Sequence, residues 1–415
     1  MKTLSVLYEG LLVGRLTRDD ELVYGFAYDE AWLRYPQRFP LSLALPLDAK
    51  TFGNKTTLSF FENLLPEGEV KEQLQRAHGV AGVFDFLQRY GRDCAGAVIV
   101  TDQEAQAQPP QAAETVAIDM ERVYAAIDEH QSVADVIADM NPGYLSLAGA
   151  QDKFPAIYDG KEFRLPTLGA PTTHIVKAPI QHSGIKESVF NEWYCMELAR
   201  AVGLLVPKCL VTSGRHPLYV VERYDRYRGT DDLVHRIHQQ DLCQAQGITS
   251  EFKYEDHGGP GIKQLYQLIQ SSVASSKIVT SLQTFLDWLA FNLLIGNHDC
   301  HAKNISLLFK DGRNEIAPFY DLICTAIYPR LKRNFCFSIG GRTEFSTLGV
   351  AQFKQLEQDL SLRPGTFSRR LAEIAGKVAF HKEGLARAMC QSHPRTKIPL
   401  RISALIDDRM RSLRL

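Results

Sequence analysis

The sequence predicts a two-lobed α+β protein. Strand-like alternation opens the chain, and a Gln/Ala/Pro-rich stretch then interrupts it. Beyond that, a run of strands with one helix gives way after Arg226 to mostly helical periodicity. The 415 residues suffice for two to three domains and a large core. Hydrophobic residues make up 45% and charged residues 23%, which excludes collagen-like, coiled-coil and wholly disordered chains. Lys and Arg number 47 against 48 Asp and Glu, a formal charge of −1, which argues against a strongly basic nucleic-acid binder.

Taken in order, LSVLYEG and LLVGRL flank Gly10, and ELVYGFAYD follows, so the chain opens with hairpins. Residues 58–65 and 70–77 read as helices broken by Pro66-Glu67-Gly68, and FDFLQRYG adds a helix ended by Gly91. AGAVIV (95–100) returns to strand. Residues 102–115, DQEAQAQPPQAAET, have linker composition and mark a domain boundary. A helix is expected at 120–130 and strands at 144–156, 163–165 and 173–177, followed by a helix at 188–202. Strands at 207–212 and 218–222 precede helices at 262–269, 282–295, 351–360, 367–380 and 402–413. The domains expected are therefore 1–101, a linker at 102–118, a sheet-rich lobe at 119–225 and a helical lobe at 226–415.

The N-terminal apolar run is broken by Tyr8 and Glu9 and lacks a small-residue cleavage site, so no signal peptide is expected. No run of about 18 apolar residues predicts a membrane span. Eight scattered cysteines without a CxxC read as reduced thiols of a cytoplasmic protein. The tail 393–415 carries six Lys/Arg against two Asp. It suits DNA phosphates or, equally, an amphipathic helix burying Ile402, Leu405, Ile406 and Leu413.

The strongest chemical signal is GNHDCHAKNISLLFKDGRNEIAPFYD, residues 296–321. A long apolar helix delivers the chain into a polar loop holding Asp299 and, five residues on, Asn304. ISLLF reads as a strand, Asp311-Gly312 is a two-residue hairpin turn, and the returning strand ends at Asp321. The hairpin brings Asp321 back near Asn304, and the oxygens of both suit a hard cation such as Mg²⁺. Asp299 can then accept a proton from a substrate hydroxyl. The protein-kinase catalytic loop spaces its Asp and Asn alike and is followed by a metal-binding Asp, although the intervening residues differ here. The bland alternative makes Asp299 and Asn304 loop caps. A rival uses His298, Asp299, Cys300 and His301 as transition-metal ligands of a phosphohydrolase, but adjacent positions on one loop cannot all converge on one ion.

A second cluster is LSLAGAQDK (145–153), where Gly149 allows a turn whose N–H groups can cradle phosphates, although no Walker A is present. Lys177 ends a strand and can reach phosphates. Glu192, on a helix start, is a candidate to pair with it. HGGPG (257–261) precedes a helix and reads as its starting loop rather than as a nucleotide loop. Glu222-Arg223-Tyr224-Asp225-Arg226 lies where a hinge between lobes must fall. Its backbone can meet an adenine edge, or its charges can form a salt-bridged strand end.

These stretches, with PLSLALPL (40–47), FFENLLPEG (60–68), GRDCAGA (91–97), PTTHIVK (171–177), NEWYCMELARAVGL (191–204) and QQDLCQ (239–244), resemble the HipA family of serine/threonine kinases, toxins of bacterial toxin–antitoxin pairs. The resemblance runs in family order over most of the chain. It implies a protein-kinase-like core fused to a β-rich N-terminal subdomain, using ATP and Mg²⁺. It makes Asp299 the catalytic base, Asn304 and Asp321 the metal ligands, and Glu192 the residue that orients Lys177. Ala148, Gly149, Ala150, Gln151, Asp152, Lys153 and Lys177 would bind phosphates, and Glu222, Arg223 and Tyr224 the adenine. His301, Ala302, Lys303, Asn304, Tyr320 and Asp321 would complete the ATP site, and Ser146 would be the autophosphorylated serine. The segment 178–189, in the position of an activation loop, is short. The implied partners are a helix-turn-helix, HipB-like antitoxin with its operator DNA, and a protein substrate of the aminoacyl-tRNA synthetase class. Two other functions stay open on the residues alone: a metal phosphohydrolase and a non-enzymatic repressor subunit.

Overall fold

The computed structural model describes residues 1–103, 114–141, 143–144, 149–167, 169–182 and 184–414. The chain forms two compact units. One is Met1–Pro179 with Thr212–Ser250 and Leu307–Arg313; the other is Ile180–Val211 with Glu251–Ser306 and Asn314–Leu415. The α+β class is as predicted. The segment 1–101 shares the first unit with the sheet that follows it.

The first unit opens with an antiparallel sheet in the order Thr51–Phe52, Tyr24–Tyr28, Leu11–Arg18, Lys2–Tyr8, Ile99–Thr101. Period-2 alternation turns Leu4, Val6, Leu16 and Phe26 into the core. The register slips once, between Val6 and Leu7. Helices Asn54–Phe61, Gly68–His78 and Gly82–Tyr90 contribute Phe60, Phe61, Leu74, Phe84 and Phe86 to the same core. Each such aromatic, fully buried, stabilises by about 1.5–3 kcal/mol.

A second sheet of this unit runs Tyr219–Glu222, His174–Lys177, Lys153–Tyr158, Phe163–Pro166, Thr115–Ala117. Helices Met120–Asp128 and Val133–Met140 bury Val123, Ile127, Val133 and Ile137 with it. Sequence reasoning missed Val133–Met140, although Val133, Ala134, Ile137 and Ala138 fall on one face at helical spacing; its start is fixed by a distant residue. The Asp152 carboxylate accepts from the N–H groups of Val133 (2.7 Å) and Ala134 (3.1 Å) and from Ser132 Oγ (2.9 Å). The chain does not turn helical at Arg226, as expected. A hairpin, Arg226–Arg228 with Val234–Arg236, comes first, then strand His238–Asp241 and the short helix Leu242–Gln246, closed by an Asp241/Gln244 capping box.

The second unit is mainly helical: Ser188–Ala201, Ile262–Ser272, Ile278–Ile295, Val350–Asp359, Thr366–Ser392 and Ile398–Leu413. Ile278–Ile295 is its central helix. The stretch Ser275–Ile295 is long and apolar enough to cross a membrane by length and composition, but two thirds of it is buried inside the protein, as in a core helix. Thr366–Ser392 runs past the expected end at Phe380, which is 83% exposed, because the helix continues on a polar face without a proline. Its start is fixed by the Glu357 carboxylate, which accepts from Gly365 N–H at 2.7 Å and Phe367 N–H at 2.9 Å. The tail is the amphipathic helix, with Ile402, Ile406 and Leu413 buried and Leu405 only partly so. Strands Asn334–Ile339 and Arg342–Glu344, which the sequence analysis does not place, pair across Gly340-Gly341. All eight cysteines are free thiols.

Candidate active site

The central helix Ile278–Ile295 ends at Gly296, whose φ of +72° is left-handed; a Cβ there would stand 2.7 Å from Ala326 Cβ, so only glycine turns the chain here. From Trp288 to Leu308 every residue is buried except Asp299. The loop around it is bonded residue by residue. His298 N–H donates to Thr325 Oγ1 (2.7 Å) and Asp299 N–H to Asn297 Oδ1 (3.0 Å). His301 N–H donates to Asp299 O (3.0 Å) and Asn304 N–H to His301 O (2.9 Å), which sets the single turn Ala302–Asn304.

Asn304 Nδ2 donates to the Asp299 carbonyl at 3.2 Å and lies 3.5 Å from Asp321 Oδ2. The hairpin turn takes the left-handed form its sequence demands, with φ of 51° at Asp311 and 74° at Gly312. Asp321 itself sits at φ 59°, a conformation Asp tolerates but most residues avoid, and such strain clusters at functional sites. The Tyr320 hydroxyl donates to Lys303 O and lies 2.8 Å from Ser306 Oγ, tying the segment before Asp321 to the loop. Asp299, Asn304 and Asp321 thus come together as the spacing predicts.

The neighbouring metal-ligand types do not converge. Burial pushes the His298 imidazole down to about 4, and its Nδ1 lies 3.1 Å from Lys332 O. Cys300 is buried, with its Sγ 3.4 Å from Cys336 Sγ. Among the described residues no group of three or more His, Cys, Asp or Glu could hold a metal ion. Sequence reasoning missed two residues that shape this loop. Tyr254 donates its hydroxyl to Asp299 Oδ1 at 2.5 Å. Arg409, from the last helix, donates from Nε to Leu293 O at 2.7 Å and packs on Phe345. No local signal in sequence marks the first, which lies 45 residues from Asp299.

In the first unit, Lys177 pairs with Lys153 on one side and Tyr219 on the other in antiparallel register. Directly opposite residues share a face, so two ammonium-bearing chains lie side by side. The Lys177 ammonium lies 5.8 Å from the Tyr219 ring centroid. Gln151 Nε2 donates to Ala178 O (3.0 Å), and the Asp152 side chain is committed to the helix start already described. Gly149 and Ala150 are in place beside them, whereas Ser146 and Ala148 lie outside the described residues. Glu192 is buried in helix Ser188–Ala201 of the second unit.

Residues 222–226, expected at a hinge between lobes, lie inside the first unit and take part in a buried ion network. Arg223 meets Asp225 with two nitrogens, Nε at 3.0 Å and Nη2 at 2.9 Å, and its Nη1 reaches Asp93 at 2.9 Å. Arg226 Nη2 takes the other Asp93 oxygen at 2.9 Å, Arg236 Nη2 stands 3.4 Å from that oxygen, and the Thr172 hydroxyl donates to Asp93. Gly96 N–H donates to Asp225 at 2.7 Å. Burial alone would raise the Asp93 and Asp225 carboxyls, but the guanidiniums more than offset it and hold both below the ordinary range. Arg223 therefore offers its side chain to the fold, and its N–H donates to Thr173 O (2.9 Å). The Tyr224 hydroxyl donates to Gln239.

An exposed carboxylate on a buried loop, an asparagine five residues on and an aspartate closing the next hairpin, within an α+β frame, match the spacing of the protein-kinase class of phosphotransferase. The chain belongs to the HipA family of kinases. The family described as HipA N-terminal domain matches residues 4–101, and the HipA-like C-terminal domain matches 145–381. A Sinorhizobium fredii protein named "Putative kinase Y4mE" is 36% identical over 94% of this chain and 92% of its own. The serine/threonine-protein kinase toxin HipA of Shewanella oneidensis is 30% identical over 91% of this chain and 87% of its own. The solved complex of Shewanella oneidensis HipA with HipB and its operator DNA superposes with a TM-score of 0.78 at 27% identity, covering 98% of this chain and 96% of that one.

Proposed function

We propose that this chain is an ATP- and Mg²⁺-dependent serine/threonine protein kinase that acts as a growth-inhibiting toxin in the cytoplasm. The observation that carries the reading is the isolated exposure of Asp299 in an otherwise buried run, with Asn304 and Asp321 beside it. Asp299 orients the acceptor hydroxyl and takes its proton. Asn304 Nδ2 faces the Asp299 carbonyl, which leaves its amide oxygen, with the Asp321 carboxylate, as the hard donors that would hold Mg²⁺. When bound, that ion neutralises phosphate charge. The paired Lys153 and Lys177 supply positive charge for the phosphates, helped by Gly149, Ala150 and Gln151. The backbone of 222–224 receives the adenine, and His301, Ala302, Lys303 and Tyr320 border the nucleotide. The protein's contribution is positioning and charge neutralisation rather than covalent chemistry.

The likeness to the HipA of the HipA–HipB–operator complex supports a HipB-like helix-turn-helix antitoxin as partner and, through it, operator DNA. The proposed acceptor is a translation component of the aminoacyl-tRNA synthetase class, and the proposed self-target is Ser146. A phosphoryl group there adds about −1.5 to −2 charges beside the phosphate loop and should repel ATP. Phosphopeptide mass spectrometry before and after induction in cells, with wild type and Asp299→Asn, tests both. Phosphate on Ser146 and on a synthetase in the wild type alone is the expected result. An active kinase with Ser146 unmodified ends the self-inhibition proposal.

A further inference from the structure

We propose that Tyr254 is a positioning residue for the Asp299 carboxylate, an inference that rests on Asp299 being the base. A carboxylate at a solvent-exposed loop position has two equivalent oxygens and a freely turning side chain. Here the Tyr254 hydroxyl donates to Oδ1 at 2.5 Å, which restricts rotation of the carboxylate and fixes the plane in which it meets an acceptor hydroxyl. Preorganising the reacting group is worth most where the protein does little else chemically.

The surrounding structure is built to hold that tyrosine still. Lys253 O accepts from Ala302 N–H at 3.3 Å, so the residue before Tyr254 is bonded to the catalytic loop itself. The Tyr254 ring meets His301 edge to face at 5.0 Å, with the Lys253 ammonium 5.3 Å from its centroid. The Tyr254 carbonyl accepts from His257 N–H (3.1 Å) and Gly259 N–H (2.9 Å), closing the chain into a tight turn. At Gly259 a Cβ would stand 2.0 Å from Phe252 O and 2.7 Å from Tyr254 O, so this turn admits only glycine. Glu255, the next residue, accepts from Ser338 N–H at 2.6 Å and so pins the segment to strand Asn334–Ile339. HGGPG, which from sequence is only a helix-start loop, thereby becomes the device that lays Tyr254 on the base.

The test uses the full chain with γ-labelled ATP, Mg²⁺ and casein as a generic acceptor. Tyr254→Phe removes one oxygen and keeps the ring packing. It should lower kcat by about 10- to 100-fold, the range expected for a misplaced reacting group. KM for ATP and the thermal midpoint should stay at wild-type values. In an Asp299→Ala background the same change should cost nothing further, because no carboxylate remains to hold. Wild-type kcat in Tyr254→Phe, a loss confined to KM, or an equal loss in the Asp299→Ala background would each overturn the inference while leaving Asp299 as base. Undiminished transfer by Asp299→Ala alone, or none by the wild type, would instead overturn the base assignment, and the inference with it.

Discussion

The Asp93–Arg223–Asp225 network and the loop around Asp299 are both charge-rich, and both read as functional from sequence. In the network, Asp93, Arg223, Asp225, Arg226 and Arg236 are all buried, and each charge is met by another. In the loop, the residues around Asp299 are buried and the carboxylate alone is exposed. The difference teaches that density of charge does not mark chemistry. A charge satisfied on every side belongs to the fold, because breaking such a set leaves a partner unpaired in low dielectric. A charge exposed at the edge of a rigid, internally bonded loop is within reach of a substrate.

The comparison breaks most visibly at its two carboxylates. Asp299→Asn should reduce phosphoryl transfer by about 10²–10⁴, the usual worth of a positioned base, with urea stability and nucleotide binding unchanged. Radiolabelled transfer and a denaturation curve on the same preparation check it. Wild-type transfer would show that the exposed charge is idle. Asp93→Ala should do the reverse, costing about 3–5 kcal/mol of stability by removing the carboxylate that three guanidiniums share and leaving Asp225 alone to meet Arg223 and Arg226. Both network carboxyls lie below their unfolded values, so their stabilisation is complete above pH ~4 and is lost on further acidification. A soluble Asp93→Ala protein with the wild-type urea midpoint would sink the structural reading.

Asp321 sharpens the division within the loop. As a metal ligand rather than a base, Asp321→Ala should weaken Mg²⁺-dependent ATP binding by about tenfold or more, where each factor of ten is 1.4 kcal/mol. Asp299→Asn should leave that binding alone. Titration calorimetry of the two variants decides it, and equal affinities would contradict the split of roles.

Local features of the site were legible. The Asp299–Asn304 spacing, the Asp311-Gly312 turn and the return to Asp321 are all set within 23 residues of chain, by turn chemistry and strand length that a sequence displays. What sequence hid depends on partners far away. Arg223 and Asp93 are 130 residues apart, and Tyr254 and Asp299 are 45 apart. A paired Arg and a solvated one look alike in composition. Asp152 read as a phosphate-loop residue because it sits in the loop, while its side chain starts a helix nearly 20 residues upstream. The pairing of Asn334–Ile339 with Arg342–Glu344 was legible in Gly340-Gly341, a two-residue hairpin signal that sequence reasoning missed.

The smallest expected effect returns to the first unit and asks whether burial alone makes a titratable group structural. His238 is wholly buried, stacked on Phe39 at 4.3 Å. Its Nε2 lies 2.9 Å from Leu41 O and so carries the proton, while Nδ1 is buried with no hydrogen-bond partner. A second proton on Nδ1 would have no acceptor, and burial holds the ring down to about 4. The unfolded ring titrates near 6.5, so between pH ~6.5 and ~4 the unfolded chain binds a proton the folded one refuses. Stability therefore falls as pH drops through that window, by about 1–2 kcal/mol at pH 5 for this residue. His174 and His298 are held down to about 4 as well, so the slope is shared. His238→Gln should be less stable at pH 7 yet lose less on going to pH 5 than the wild type, by urea midpoints at the two values. An unchanged pH slope in the variant would mean that His238 takes up its proton in the folded state, and burial would then not be what separates the network from the loop around Asp299.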